Sequence, residues 1–101
     1  MIRGTTPTFQ LKLISDSVDL TLAENVYATF KQGSKAITKT GEDIDVSPIQ
    51  VDVYMSQEET LGFRYGDIRI QLNWTYSDGS RACTKIVKKN VGKNLIERVL
   101  E

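Results

Sequence analysis

Alternation of apolar and polar residues dominates the first third of the chain. Residues 8–14 begin the pattern, and residues 18–22 and 26–32 repeat it. A period of two residues is typical of a β-strand with one buried face. The pattern therefore predicts three strands, whose buried faces are Phe9, Leu11 and Leu13, then Val18, Leu20 and Leu22, then Val26, Ala28 and Phe30.

The third strand is followed by a turn signal. Gly33 and Ser34 form a two-residue loop with glycine first, which is typical of a type II′ hairpin turn. This loop sets Phe30 opposite Ile37 on the returning strand, so both apolar side chains fall on one face. We therefore predict a hairpin here.

The middle of the chain predicts two strands and a helical turn. Ile44 and Val46 fit a short strand, and residues 49–55 alternate with four apolar positions. Ser56 stands three residues before Glu59, which is the spacing of a helix N-terminal capping box. We expect one short helical turn near residues 56–61, ending at Gly62 and crossing between two sheets.

Residues 68–76 are the strongest strand, and the turn after them can close in two ways. A two-residue loop would place Leu72 opposite the charged Lys85. A three-residue loop at residues 77–79, with Gly79 left-handed, keeps apolar residues together and matches a type I turn with a G1 bulge. We therefore predict the register that pairs Trp74 with Ala82, Leu72 with Thr84 and Ile70 with Ile86.

The tail, residues 88–101, is open to three interpretations. Its four large apolar residues fit helical spacing, but a final strand or an extension that reaches a partner fits equally well. These residues are Leu95, Ile96, Val99 and Leu100. About seven short strands separated by turns favour an all-β, antiparallel, immunoglobulin-like β-sandwich, with a single domain over residues 1–101.

The amino-acid composition argues against several kinds of catalytic and metal-binding site. The 101 residues include 13 Lys and Arg, 13 Asp and Glu, no His and one Cys. The lack of His removes the usual general base and metal ligand, and a single Cys excludes an internal disulfide and a Cys-based metal cluster. We expect no enzyme activity, no catalytic residue, no cofactor and no metal site.

The sequence also bears on location and on large partners. Neither a secretory leader nor a membrane-spanning run of apolar residues is visible, so we expect a cytoplasmic protein without membrane contact. A net charge of zero argues against attraction of the whole surface to nucleic acid or to an anionic membrane.

Individual reactive and aromatic residues have ordinary structural explanations. Glu58 and Glu59 suit the first turn of a helix, and Cys83 is expected to be a partly buried thiol, although Lys85 on the same strand face could lower its pKa. Most aromatic residues fit the core, although a row of exposed ones would suit a sugar-binding face. Tyr65, beside Arg64 in a loop, is the aromatic residue that we expect to be exposed and to touch a partner.

Charges are segregated along the chain. Residues 41–60 contain six acids and no base, and residues 81–93 contain five bases and no acid. They could be solvated faces that compensate each other, or they could steer the pairing of subunits in a salt-dependent manner. Nucleic-acid binding by the basic segment is disfavoured, because it lacks interleaved exposed aromatic residues.

Several segments together carry a resemblance. They are Met-Ile-Arg-Gly-Thr-Thr-Pro-Thr at 1–8 with Phe9 and Leu11, Val-Tyr-Ala-Thr-Phe at 26–30, Ser-Gln-Glu-Glu-Thr at 56–60, residues 68–74, and Asp78-Gly79. The chain resembles small proteins encoded among the structural genes of tailed phages and prophages of Gram-positive bacteria. More distantly, it is similar to the immunoglobulin-like N-terminal domain of phage baseplate upper proteins. The tail after Lys88 departs most from this pattern.

The resemblance implies a virion or tail-assembly component that works by binding. It would act in the bacterial host cytoplasm during assembly or in the virion, and its partners would be other phage structural proteins. From the residues we add a possible homo-oligomer formed through opposite charge patches, and the alternative of a carbohydrate or host-surface binding module. The partner contacts that we predict are Arg64, Tyr65, Lys85, Lys88, Lys89 and Lys93.

Overall fold

The computed structural model describes residues 1–13, 18–96 and 98–100. These residues form eight β-strands, one α-helical turn and two short 3-10 helices at Leu20–Leu22 and Gly41–Asp43. The strands are β1 (Thr8–Lys12), β2 (Asn25–Gln32), β3 (Lys35–Thr40), β4 (Ile44–Val46), β5 (Gln50–Tyr54), β6 (Gly66–Thr75), β7 (Arg81–Cys83) and β8 (Val87–Val91), and the helical turn is α1 (Gln57–Leu61).

The strands form two antiparallel sheets packed against each other. One sheet has the order β1-β5-β4, and the other has the order β3-β2-β6-β7, with β8 also paired to β6. The helical turn α1 lies between β5 of the first sheet and β6 of the second. The predicted all-β sandwich and the crossing between its sheets are confirmed.

The core lies where the inner faces of the two sheets meet. Phe30 of β2 is fully buried, and its ring centroid is 5.2 Å from that of Phe9 on the opposite sheet. Alternate positions of β2, β5 and β6 are buried, as the period of two predicts. The buried apolar residues are Leu20, Val26, Ala28, Phe30, Ile44, Val51, Val53, Met55, Phe63, Ile68, Ile70, Leu72, Trp74 and Val91.

The β2–β3 hairpin has the predicted register. Phe30 lies opposite Ile37, and Gln32 and Lys35 close the two-residue loop. Gly33 has φ +58°, whereas Ser34 has a negative φ. A positive φ at the first loop position alone matches the type II′ turn that the glycine predicts.

The turn between β6 and β7 is also confirmed, but its register changes further on. Trp74 lies opposite Ala82, and Gly79 has φ +88°. The backbone N–H of Thr84 donates to the carbonyl of Leu72 at 2.9 Å, so this predicted pair is present as well. Ile70, however, pairs with Val87 instead of Ile86, because one extra residue between β7 and β8 forms a bulge.

The strand predicted over residues 18–22 is wrong. Leu20–Leu22 is a 3-10 helix, and Asp19 caps it by accepting a hydrogen bond from the backbone N–H of Thr21 at 3.0 Å. The cap turns the chain, so Leu20 is buried while Leu22 is 73% exposed. Ile14, at the end of the first predicted strand, lies outside the described residues.

The helical turn α1 begins as predicted. The Ser56 side chain accepts from the backbone N–H of Glu59, and the Glu59 carboxylate accepts from the backbone N–H of Ser56. Gly62 follows as the C-cap. The Lys39 ammonium donates to both oxygens of Glu59 at 2.7 Å, which ties α1 to β3.

The beginning of the tail is a strand. Val87–Val91 pairs with β6, and Gly92 then forms a parallel bridge with Ile2. Of residues 92–96 and 98–100, none is helical, and Gln57 of α1 exchanges two hydrogen bonds with the backbone of Leu100. Of the three interpretations of the tail, the strand applies to its first part.

Candidate functional site

The six predicted contact residues are all exposed. Tyr65 is 51% exposed, as a partner contact requires. Five basic residues accompany it on the surface: Arg64, Lys85, Lys88, Lys89 and Lys93.

The loop that carries Arg64 and Tyr65 is held in place from two sides. The Gln32 side chain accepts from the backbone N–H of Arg64 at 2.6 Å and donates to its carbonyl at 2.7 Å. The guanidinium of Arg3 lies 5.3 Å from the centroid of the Tyr65 ring, which is the range of a cation–π contact. The loop therefore presents its two side chains from a fixed backbone.

Three basic residues form a row across the outer face of the five-stranded sheet. Lys31 of β2 lies directly opposite Arg69 of β6, and Arg69 lies directly opposite Lys88 of β8. Each is exposed, since the neighbouring Phe30 and Ile70 point inward. We call Lys31, Arg69 and Lys88 the basic row.

The cationic groups of the basic row form no ion pair with a described residue. One carboxylate, that of Asp67, lines the same surface depression as Lys31, Arg69 and Lys88, so the depression keeps a net positive charge. Directly opposed like charges on a sheet are destabilising. The row is thus a surface on which an anionic group would relieve repulsion.

Sequence reasoning missed two members of this row. Lys31 and Arg69 lie on predicted strands; Lys31 follows the buried Phe30, and Arg69 lies between two buried isoleucines. That alternation shows that both face outward, but only the β2–β6 pairing makes them neighbours.

The basic segment 81–93 is not one surface. Lys88 joins the basic row, whereas Lys89 lies opposite the buried Ile68, at the sheet edge. Lys85 lies in the bulge between β7 and β8, and Lys93 follows the strand. Lys88 therefore faces outward, whereas Lys85 and Lys89 line surface depressions at the β7–β8 edge.

The opposite side of the sandwich carries an acidic pair. Asp45 of β4 lies directly opposite Asp52 of β5, on the outer face of the three-stranded sheet. Asp45 accepts a hydrogen bond from the Tyr54 hydroxyl, and this bond raises the pKa of that hydroxyl. Asp52 accepts from the Gln50 amide at 2.7 Å. We call Asp45 and Asp52 the acidic pair.

The charge of Glu59 is balanced by the ion pair with Lys39, so Glu59 does not add to the acidic pair. Burial acts to raise the pKa of its carboxyl, but the hydrogen bonds from Lys39 and Ser56 outweigh it, and the pKa is lowered. Lys39 lies outside the basic segment, so the two oppositely charged segments do not compensate each other at this point.

The prediction that the Cys83 thiol is partly buried is wrong. Cys83 is exposed, because it lies opposite the outward-facing Asn73 while Ala82 opposite Trp74 takes the inner position. The pattern of alternation was sufficient to predict this orientation from the register already proposed.

An apolar cleft separates the edge of β1 from the β7–β8 edge. Leu13, Val18, Trp74 and Ala82 line one part, and Leu11 and Val87 line another. Leu13 and Val18 flank residues 14–17, which lie outside the described part of the chain.

Comparison with known proteins gives no relative: no family model, no curated protein and no solved structure matches the chain. Within residues 1–13, 18–96 and 98–100, no helix has the length and apolar character needed to cross a membrane. The same residues contain no group of three or more Cys, Asp or Glu side chains placed to hold a metal ion.

Proposed function

We propose that the chain is a non-enzymatic, phage- or prophage-derived structural or assembly protein that binds other structural proteins of a tail or baseplate. It would act in the host cytoplasm during assembly and could remain in the virion. The resemblance of its segments to phage structural proteins supplies the identity of the partners.

One observation carries the proposal: a fixed loop displays Arg64 and Tyr65 at the start of β6, the strand that also carries Arg69 of the basic row. Tyr and Arg side chains are enriched among residues that dominate the energy of protein interfaces. A backbone that is already held reduces the entropy lost on binding. These features suit a docking surface for a protein with an acidic face.

The alternative of carbohydrate binding has less support. The aromatic residues with exposed side chains in the described part are Tyr54 and Tyr65. Tyr54 lies on the three-stranded sheet and Tyr65 lies in the loop after α1, so they do not form a row along which a sugar chain could stack.

The test uses purified chain and the proteins encoded by the genes that flank its own. We expect one of them to form a complex with a defined stoichiometry by light scattering. The double variant Arg64→Glu/Tyr65→Ala should raise the dissociation constant at least about tenfold, because it removes both anchor side chains.

A matched control is Arg98→Glu/Tyr54→Ala, which makes the same two kinds of change at exposed positions elsewhere. It should bind as the unmodified chain does. Failure of every flanking protein to bind, or equal binding by the two double variants, would overturn the proposal. Binding to purified cell-wall polysaccharide that depends on Tyr65 would establish the alternative instead.

A further inference from the structure

The two outer faces of the sandwich carry opposite charges. The basic row lies outside the five-stranded sheet and the acidic pair outside the three-stranded sheet. Because the inner faces of the two sheets pack together, these outer faces point in opposite directions. Glu42 and Asp43 are exposed in the 3-10 helix just before β4, and one base, Lys12 of β1, lies on the same outer face as the acidic pair, opposite Gln50.

Repulsion between like charges destabilises each of these two faces. In the basic row three cations are direct cross-strand neighbours, and in the acidic pair two carboxylates are. Within the described residues neither set forms an ion pair. Repulsion on both faces would fall if the acidic face of one molecule lay over the basic face of another.

We propose that a second copy of this chain is the partner of the basic row, and that copies stack head to tail, with Asp45 and Asp52 of one over Lys31, Arg69 and Lys88 of the next. This deepens the proposed function, on which it rests, by naming a partner. A symmetric dimer through either face would bring like charges together, so the contact must be heterologous. Such a contact leaves one free face of each sign and generates a ring or a filament.

The experiment is sedimentation velocity over a concentration series at about 20 mM and about 500 mM NaCl, between which the screening of exposed charges rises strongly. The unmodified chain should self-associate at low salt, with a dissociation constant at least about tenfold higher at high salt. A chain that remains monomeric at low salt up to about millimolar concentration would overturn the proposal.

Two charge-reversal variants test the head-to-tail geometry. K31E/K88E makes both outer faces acidic, and D45K/D52K makes both basic. Each should be monomeric by itself, because its two faces repel. An equimolar mixture should associate again, since every contact then joins an acidic face to a basic one. Association of either variant alone at the level of the unmodified chain, or a mixture that stays monomeric, would contradict the proposal.

The control K85E/K93E changes net charge by the same amount as K31E/K88E but lies outside the basic row. It should self-associate as the unmodified chain does. If K85E/K93E and K31E/K88E lost self-association equally, net charge alone would explain the loss, and the basic row would not be the contact surface. The emission of Trp74, which is 4% exposed, reports whether each variant is folded. If the chain is monomeric yet binds a flanking-gene protein through Arg64 and Tyr65, the stacking fails while the proposed function stands.

Discussion

At the scale of single residues, some buried polar groups in this sandwich are satisfied by residues close to them in sequence. Trp74 is an example, because its ring is buried at the inner face of β6 while its indole N–H donates to the hydroxyl of Tyr76 at 3.0 Å. A buried donor without an acceptor lowers stability. Because the Tyr76 hydroxyl accepts from the indole N–H, the Trp74 ring can lie in the core without that cost.

Tyr76→Phe should therefore lower the free energy of unfolding by about 1–3 kcal/mol, since the indole N–H loses its acceptor. Urea unfolding monitored by the fluorescence of the single Trp measures this directly. Tyr27→Phe, on the outer face of β2, serves as the control and should change stability much less. If Tyr76→Phe and Tyr27→Phe lowered the free energy of unfolding equally, the hydrogen bond from Trp74 to Tyr76 would not be a specific source of stability.

At the scale of elements, α1 is five residues long and needs help from outside itself. Helices this short are not stable in isolation. The capping box satisfies its first N–H groups, and the ion pair with Lys39 joins it to β3. Glu59 takes part in both, so its ionisation links the stability of the crossing between sheets to pH.

Glu59→Gln should be less stable than the unmodified chain at pH 7 by about 1 kcal/mol, below the full value of a hydrogen bond to a charged group, because glutamine keeps a neutral acceptor oxygen and the pair is partly exposed. The folded state lowers the pKa of this carboxyl below its ordinary 4.5. The contribution is therefore complete above about pH 5 and is lost as pH falls through the lowered value.

Unfolding by urea at pH 7 and at pH 3 measures this difference. Glu58→Gln is the matched control on the same helix, because Glu58 is exposed and makes no ion pair with a described residue. If the stability gap for Glu59→Gln stayed constant down to pH 3, the electrostatic explanation would be wrong.

At the scale of the whole molecule, the segment around Arg3 connects the end of β8, the crossing helix α1 and the tail. The backbone N–H of Arg3 donates to the carbonyl of Gly92 at 3.0 Å, after β8. The Arg3 guanidinium donates to the carbonyl of Leu61 at 2.8 Å, at the end of α1, and Asn94 donates to the carbonyl of Arg3. Arg3 is thus a link between the five-stranded sheet, the crossing helix and the tail.

Arg3→Met should lower the unfolding free energy by about 1.5–3 kcal/mol, the range for a hydrogen bond to a charged group. The substitution keeps an aliphatic chain but removes the donors to Leu61 and the charge beside Tyr65. For a domain of this size the thermal midpoint should fall by roughly 6–24 °C, measurable by circular dichroism. Arg98→Met, at an exposed tail position, should leave the midpoint nearly unchanged.

The candidate site was predictable only in part. The exposure of Arg64 and Tyr65 followed from their place in a loop between a capped helix and a strong strand. The outward direction of Lys88 did not, because the predicted register continues to a pair between Lys88 and the buried Ile68, and the bulge shifts Lys88 opposite Arg69. The basic row required Lys31, which is 38 positions before Arg69. Such neighbours are determined by which strands pair, and β2 and β6 are separated along the chain by three strands, a 3-10 helix and α1.

The sequence by itself determined several features that depend on a few consecutive residues: the buried faces of β2, β5 and β6, the hairpin turns at Gly33 and Gly79, and the capping box of α1. These features are local, because backbone conformation and alternation act over two to four positions. Only the tertiary structure decided the β2–β6 pairing, the bulge that moved Val87 opposite Ile70, and the placement of opposite charges on opposite faces. Those depend on how two sheets pack, and the alternation along any one strand is compatible with more than one neighbour.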